Sequence, residues 1–348
     1  MFRYEHGGNI YGPQEIRLDY SVNLNPLGMP EAVRRAIAEH IDEYAQYPDP
    51  FCRKLTRALA EKEETPQEWL LCGNGAADLI IRLCFALQCK QALVCAPTFS
   101  EYANAVRLAG GAVKEYPLRE EKDFRLDEGI LRYLDGALDT VFLCNPNNPN
   151  GALIDGDLLQ AIAAKCLQND IFLIVDECFL PFTGGCSVKE LLPGNPRLVI
   201  LNAFTKIYAM AGLRLGYIVT ANAQILAKTA AFGQSWSVSG PAQAAGLAAL
   251  QVPDWQERTR QIVAEEKAFM EEALKQLHIR VFPSDSNFLL LQHEKPVYDL
   301  LLSRGVLIRD CGNFSGLTHD FFRIGLKRRE ENMTFLSHLQ AVLTASRP

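Results

Sequence analysis

The stretch LVILNAFTKIYAMAGLRLG, Leu198–Gly216, runs from four apolar residues into small residues around one lysine, Lys206, with Arg214 eight positions further on. The block Leu198–Leu201 has the length and composition of a strand buried on both faces. A lysine just past such a strand stands where open parallel sheets collect ligands, beyond the carboxyl ends of their strands. That placement predicts further chemistry behind the other apolar runs.

Those runs are EWLLC (68–72), QALVC (91–95), DTVFLC (139–144), IFLIV (171–175), RLVILN (197–202) and LGYIV (215–219), separated by helical patterns. The alternation predicts an α/β fold, a mostly parallel sheet with crossover helices. Behind the runs come Gly73-Asn74-Gly75 opening a helical pattern at Ala76, then Phe99, Asn148 within Asn145–Gly151, Asp176-Glu177, and Thr205-Lys206. Residues 241–277 predict one long helix or two, residues 279–292 and 305–310 predict strands, and residues 327–343 a closing helix. The change of pattern divides the chain into an N-terminal arm (1–28), a large domain (29–245) and a smaller C-terminal α+β domain (246–348).

The chain has 348 residues, a net charge of −6 and both signs interspersed. It carries no basic block of the kind that binds nucleic acid, no apolar stretch near the length of a membrane span, and no signal pattern at its start. A cytoplasmic protein is expected. The ten cysteines lie mostly in apolar runs, without the spacing of a disulfide framework or zinc site, and read as small hydrophobes. No metal is expected.

Each group has a plainer reading when taken singly. Gly73-Asn74-Gly75 can be an ordinary turn, and Asp78 at the third glycine position rules out a dinucleotide fingerprint; a glycine turn feeding a helix still offers free N–H groups to an anion. Asp176 can cap a helix, Phe99 can be core, and Lys206 can snorkel. Taken together, an amine, a carboxylate, an amide, a stacking ring and a phosphate nest are the parts that hold pyridoxal phosphate. The lysine bonds covalently to the cofactor aldehyde. A carboxylate facing the pyridine nitrogen is worth roughly 4 kcal/mol at about 4 Å in a semi-buried setting, against about 1 kcal/mol for a neutral hydrogen bond, so Asp176 outweighs Asn148. Arg214 offers phosphate a fork that lysine lacks.

Asn148-Pro149-Asn150-Gly151, Asp176-Glu177, Thr205-Lys206 and Gly212-x-Arg214-x-Gly216 resemble, in order and spacing, the fold-type I, aminotransferase-like pyridoxal phosphate enzymes. The resemblance implies that Lys206 carries the cofactor, Asp176 meets the pyridine nitrogen, Asn148 the ring hydroxyl, and Phe99 stacks on the ring. Gly75, Ala76, Thr205 and Arg214 would hold cofactor phosphate. Tyr47, in QYPDP, would reach the cofactor phosphate of a neighbouring subunit, which implies a homodimer. HGGNI (6–10), SVNLNPLGMP (21–30) and residues 307–327 further resemble the enzymes that decarboxylate threonine phosphate in cobalamin synthesis, close kin of histidinol-phosphate aminotransferases. That narrower resemblance implies Arg323, supported by Asn148, on the substrate carboxylate, and His6, Asn23 and Arg309 on the substrate phosphate.

Four positions depart from the wider pattern. Ala203 lacks the usual hydroxyl, Asn150 replaces threonine, Phe179 stands where many aminotransferases have a tyrosine on the ring oxygen, and Asp310 adds a negative charge beside Arg309. Phe179 suits a decarboxylase. The expected reaction is decarboxylation of L-threonine O-3-phosphate. The alternatives are a phosphate-recognising aminotransferase, a serine-phosphate decarboxylase, since one methyl discriminates by only about 1–3 kcal/mol, and a non-catalytic cofactor-binding protein.

Overall fold

The computed structural model describes residues 6–344. Its main sheet has seven strands: β2 (Leu70–Gly73), β3 (Gln91–Ala96), β4 (Ala112–Pro117), β5 (Thr140–Cys144), β6 (Phe172–Asp176), β7 (Leu198–Ala203) and β8 (Gly216–Val219), in the order β2-β8-β7-β6-β5-β3-β4. The five strands from β3 to β7 run parallel, while β8 is antiparallel to both its neighbours. Successive residues of β7 feed opposite layers: Leu198 and Ile200 pack in one core cluster, Val199 and Leu201 in the other. β5 does the same with Val141 and Leu143 against Phe142 and Cys144. A strand covered on both faces needs apolar residues at every position, so these segments read as unbroken runs.

A second, antiparallel sheet holds β9 (Arg280–Val281), β10 (Phe288–Gln292), β12 (Arg309–Asp310) and β13 (Phe321–Gly325), in the order β12-β13-β10-β9. The N-terminal strand β1 (Leu18–Asp19) pairs in parallel with β11 (Val306–Leu307), which ties the start of the chain to its last third. The segment expected to hold one or two helices holds two, Gly240–Leu250 and Trp255–Gln276. Among the described residues no helix is long and apolar enough to cross a membrane, and no group of three or more His, Cys, Asp or Glu could hold a metal ion.

Three features differ from the sequence expectation or lie outside it. LGYIV forms a strand, but a reversed one, because strand direction leaves no mark on composition. Ala112–Pro117 is an edge strand that is mostly exposed, with Tyr116 alone buried, so it has no apolar run. Phe321–Gly325 is wholly buried and central to the small sheet, with Arg323 in its middle.

Candidate active site

The carboxyl ends of β2, β6 and β7 and the entry of β8 converge. β7 ends at Ala203 and passes at once into a one-turn helix, Phe204–Ile207, that carries Lys206. Its backbone is held from three directions. The Lys206 carbonyl accepts from the Asn25 N–H at 3.1 Å, and the Ile207 carbonyl accepts from Asn25 Nδ2 and Trp255 Nε1, each at 2.7 Å. Burial, and then the nearby guanidinium of Arg323, push the Lys206 ammonium down to about 8, with Arg214 acting the same way more weakly. A fair share of the amine is therefore neutral, and nucleophilic, near physiological pH.

Asp176 closes β6 and is buried. Tyr102 donates to Oδ2 at 2.7 Å and the Cys178 N–H to Oδ1 at 2.9 Å. Burial raises the carboxyl above its usual range, and these two donors and the charge of Lys206 oppose the rise. Tyr102 stacks on Phe142 with ring centroids 5.3 Å apart and takes the edge contact of Phe99, whose centroid lies 5.5 Å away at 82°. Sequence reading passed over Tyr102. It lies inside a helix, Glu101–Leu108, and its one textual signal is its place three residues after Phe99.

Gly75 precedes the helix Ala76–Leu87 with φ 83° and ψ 167°, and an added Cβ would lie 2.7 Å from Nη2 of Arg214. Gly216 is as tightly placed: its Cβ would meet the Ala76 nitrogen at 2.8 Å. Ala76 is half-buried and Thr205 buried. Arg214 itself has a left-handed backbone, φ 56°, and donates to the Ala211 carbonyl at 3.2 Å. A helix N-terminus, two glycines and a guanidinium thus form one small cup. Ala203, buried and N-terminal to the Lys206 turn, contributes no side-chain cap.

Arg323 is buried on β13. One terminal nitrogen donates to Asn148 Oδ1 and the other to the Ser21 carbonyl at 2.8 Å. Its Nε is buried without a partner, as is Oδ1 of Asn23. Burial, eased by Cys311 and reinforced by Arg309, lowers its pKa to about 10. The β12–β13 register sets Arg309 opposite Arg323, so both project from one face of the small sheet. Arg309 donates to the Asp310 carbonyl and, at 2.7 Å, to Asn313 Oδ1. The Asp310 carboxylate accepts from the Gly312 N–H at 2.9 Å and lies 2.8 Å from His319 Nδ1. Phe179 packs edge-on against Phe288, 4.9 Å away. His6 sits 2.9 Å from Glu101 Oε1, its ring 5.9 Å from that of Phe99. Asn150 is spent on structure, donating to the Phe124 carbonyl at 3.0 Å.

Tyr47 stands apart. It is 79% exposed and stacks on Trp236 at 4.4 Å. Its segment is anchored, because Asp49 accepts from the N–H groups of Phe51 and Arg53 at 3.0 and 2.7 Å.

Residues 15–339 match the model of aminotransferase class I and II, and the chain belongs to that family. It is 38% identical to the threonine-phosphate decarboxylase of Salmonella typhimurium, covering 100% of this chain and 99% of that protein. Among solved structures it resembles histidinol-phosphate aminotransferase from Clostridium acetobutylicum (TM-score 0.87, 32% identity, 94% of this chain and 99% of that one). It also resembles L-threonine-O-3-phosphate decarboxylase from Porphyromonas gingivalis (TM-score 0.83, 25% identity, 94% and 100%). The residues fit pyridoxal 5'-phosphate: an amine of lowered pKa, a buried carboxylate, and a cup at Gly75 and Arg214 that a single Cβ would fill.

Proposed function

We propose that the chain decarboxylates L-threonine O-3-phosphate to (R)-1-amino-2-propanol O-2-phosphate for cobalamin biosynthesis, with pyridoxal 5'-phosphate as cofactor. The observation that carries this reading is the likeness, 38% identity over the whole chain, to a threonine-phosphate decarboxylase. The cross-strand pair Arg309 and Arg323 agrees with it: two adjacent cations suit the carboxylate and phosphate of threonine phosphate, although they equally suit 2-oxoglutarate, the dicarboxylate partner of an aminotransferase.

Bound at Lys206, the cofactor supplies an electron sink for the bond broken at Cα. Asp176 would meet the pyridine nitrogen, with Tyr102 and the Cys178 amide opposing the effect of burial and favouring its charged form. Asn148 would meet the ring hydroxyl and Phe99 would stack on the ring. Gly75, Ala76, Thr205 and Arg214 would hold cofactor phosphate. Arg323 grips the substrate carboxylate, its orientation set by Asn148 and the Ser21 carbonyl. Arg309, His6 and Asn23 take the substrate phosphate. These anchors would orient the substrate so that the bond from Cα to its carboxylate is the one the electron sink weakens. Lys206 would return a proton to Cα once CO2 has left. Phe179 offers the cofactor ring no phenol.

We further propose a cytoplasmic homodimer, in which the exposed, anchored Tyr47 meets the neighbouring subunit's cofactor phosphate. Ten free cysteines suit a reducing compartment.

The reaction is tested with threonine phosphate, serine phosphate, and histidinol phosphate plus 2-oxoglutarate, following CO2 and pyridoxamine phosphate. The expected result is CO2 from threonine phosphate with the aldehyde cofactor kept over many turnovers. No CO2 from either phosphoamino acid, with glutamate formed from histidinol phosphate and 2-oxoglutarate in a pyridoxamine-accumulating half-reaction, is the outcome expected of an aminotransferase and overturns the reading. The structural likeness to a histidinol-phosphate aminotransferase makes that the second candidate.

A further inference from the structure

Asp78, which rules out a dinucleotide reading of the Gly73-Asn74-Gly75 turn, has another use. It lies in the first turn of the helix Ala76–Leu87 and folds back, its Oδ2 accepting from the Asn74 N–H at 2.9 Å. The turn is thus held from inside the helix that it feeds. A Cβ on Gly73 would lie 3.0 Å from that same oxygen and 2.6 Å from Leu79 Cδ2, so the backbone is drawn in as far as glycine permits. One helical turn further on, Arg82 closes on the carboxylate as a fork, with Nε 2.9 Å from Oδ1 and Nη2 2.8 Å from Oδ2. The Arg82 side chain is 6% exposed, against 27% for Asp78. Its guanidinium packs on Gly233, just past the helix Ala223–Ala231, where a Cβ would lie 2.5 Å from Cζ. Gly233 is not in the left-handed region, so what glycine supplies there is room. Phe232, beside it in the chain, stacks on Phe85 with ring centroids 5.6 Å apart, which ties the two helices together at this point.

We propose that Asp78 and Arg82 are a positioning pair for the cofactor phosphate: Asp78 sets the turn that offers Gly75 and Ala76 to the phosphate, and Arg82 cancels the charge that Asp78 brings there. This rests on the assignment of cofactor phosphate to Gly75, Ala76 and Arg214. The need for a pair follows from the helix dipole. A carboxylate in the first turn favours the helix, because the N-terminus is its positive end. The same end draws a phosphate, and a phosphate arriving there meets the carboxylate as a like charge. A neutral acceptor would avoid the repulsion but would hold the Asn74 N–H less firmly. A carboxylate bonded to a buried arginine keeps the strong acceptor and sheds the net charge.

The test titrates apo-protein with pyridoxal phosphate and with pyridoxal, following the absorbance of the lysine adduct, with thermal melts alongside. The proteins are wild type, Arg82→Met, Arg82→Lys, Asp78→Asn and the double variant Asp78→Asn/Arg82→Met. Arg82→Met leaves the Asp78 charge uncancelled. Its Kd for pyridoxal phosphate should rise roughly three- to tenfold, the scale of a partly exposed ion pair, while that for pyridoxal holds. Arg82→Lys, which keeps the charge without the fork, should fall between. Asp78→Asn keeps an acceptor for Asn74 and leaves Arg82 as an uncompensated cation, so it should bind pyridoxal phosphate no more weakly than wild type, even with a lower melt. Adding Asp78→Asn to Arg82→Met should restore the affinity that Arg82→Met lost. Equal losses for both ligands in Arg82→Met, no recovery in the double variant, or a weaker grip on pyridoxal phosphate in Asp78→Asn overturns the inference. Should Arg82→Met not fold, Asp78→Asn and Arg82→Lys decide it by the same comparison. If the wild-type protein binds both ligands alike, the assignment of phosphate to this turn falls first, and the inference with it.

Discussion

Replacing Gly75 by alanine separates the stability of the fold from the grip on cofactor. At φ 83° and ψ 167° the backbone occupies a region almost reserved for glycine, and alanine there costs about 1–3 kcal/mol. The new Cβ would lie 2.7 Å from Nη2 of Arg214. That atom is the far end of a flexible side chain, so the guanidinium yields and the sheet does not. On the proposed role of Arg214, what is lost is its approach to the cofactor phosphate. A charge-assisted contact of that kind is worth about 1.5–3 kcal/mol, which converts to roughly 10- to 150-fold in affinity. The assay titrates apo-protein with pyridoxal phosphate and, in parallel, with pyridoxal, following the absorbance of the lysine adduct, with thermal melts alongside. The variant should melt modestly lower, bind pyridoxal phosphate 10- to 150-fold more weakly by the same conversion, and bind pyridoxal nearly as before. Equal losses for both ligands, or unchanged affinity for the phosphorylated one, would refute the reasoning.

Lys206→Ala should abolish covalent cofactor retention; borohydride trapping and peptide mapping check this, and label on another lysine removes Lys206 from the role. With the Lys206 ammonium lowered to about 8, the neutral amine predominates above that pH. The rate of aldehyde capture by apo-protein should rise with pH to a midpoint near 8, and a midpoint near the usual lysine value of 10.5 contradicts the burial argument. Arg323→Lys cannot donate to Asn148 and Ser21 from one planar group, so KM for threonine phosphate should rise roughly 10- to 150-fold while cofactor content stays constant; an unchanged KM takes Arg323 out of the substrate site. Sedimentation should show a dimer, and a fully active monomer would leave Tyr47 without its proposed partner.

How much could be read from residues alone depended on what marks a strand end. The runs ending near Gly73, Cys144, Val175 and Asn202 were visible because burial on both faces demands continuous apolar sequence, and the groups behind them converge for the same topological reason. Tyr102 was not visible, since a helix facing a site differs from one facing the core by a single side chain. Phe321–Gly325 carried an arginine where a buried strand is expected to be apolar; the resemblance implied Asn148 as its support, and the fold adds the Ser21 carbonyl as the acceptor of its other terminal nitrogen. The reversal of β8 leaves no trace in composition. Nor does the register that sets Arg309 beside Arg323, because it is a relation between segments rather than a property of either.

The reversed strand also makes β7 and β8 a hairpin. Ala203 pairs with Gly216 across its neck, and the Phe204 N–H donates to the Leu215 carbonyl at 3.1 Å just inside. Lys206 and Arg214 thus lie in one closed loop, residues 204–215, whose ends are clamped together. Arg323, by contrast, reaches partners 175 and 302 positions away in the chain. Short loops close at lower entropic cost than long ones. As the protein assembles, the spacing between the amine and the guanidinium of Arg214 is therefore set by neighbours along the chain, whereas the setting of Arg323, proposed to bind substrate, waits until the two ends of the polypeptide have met.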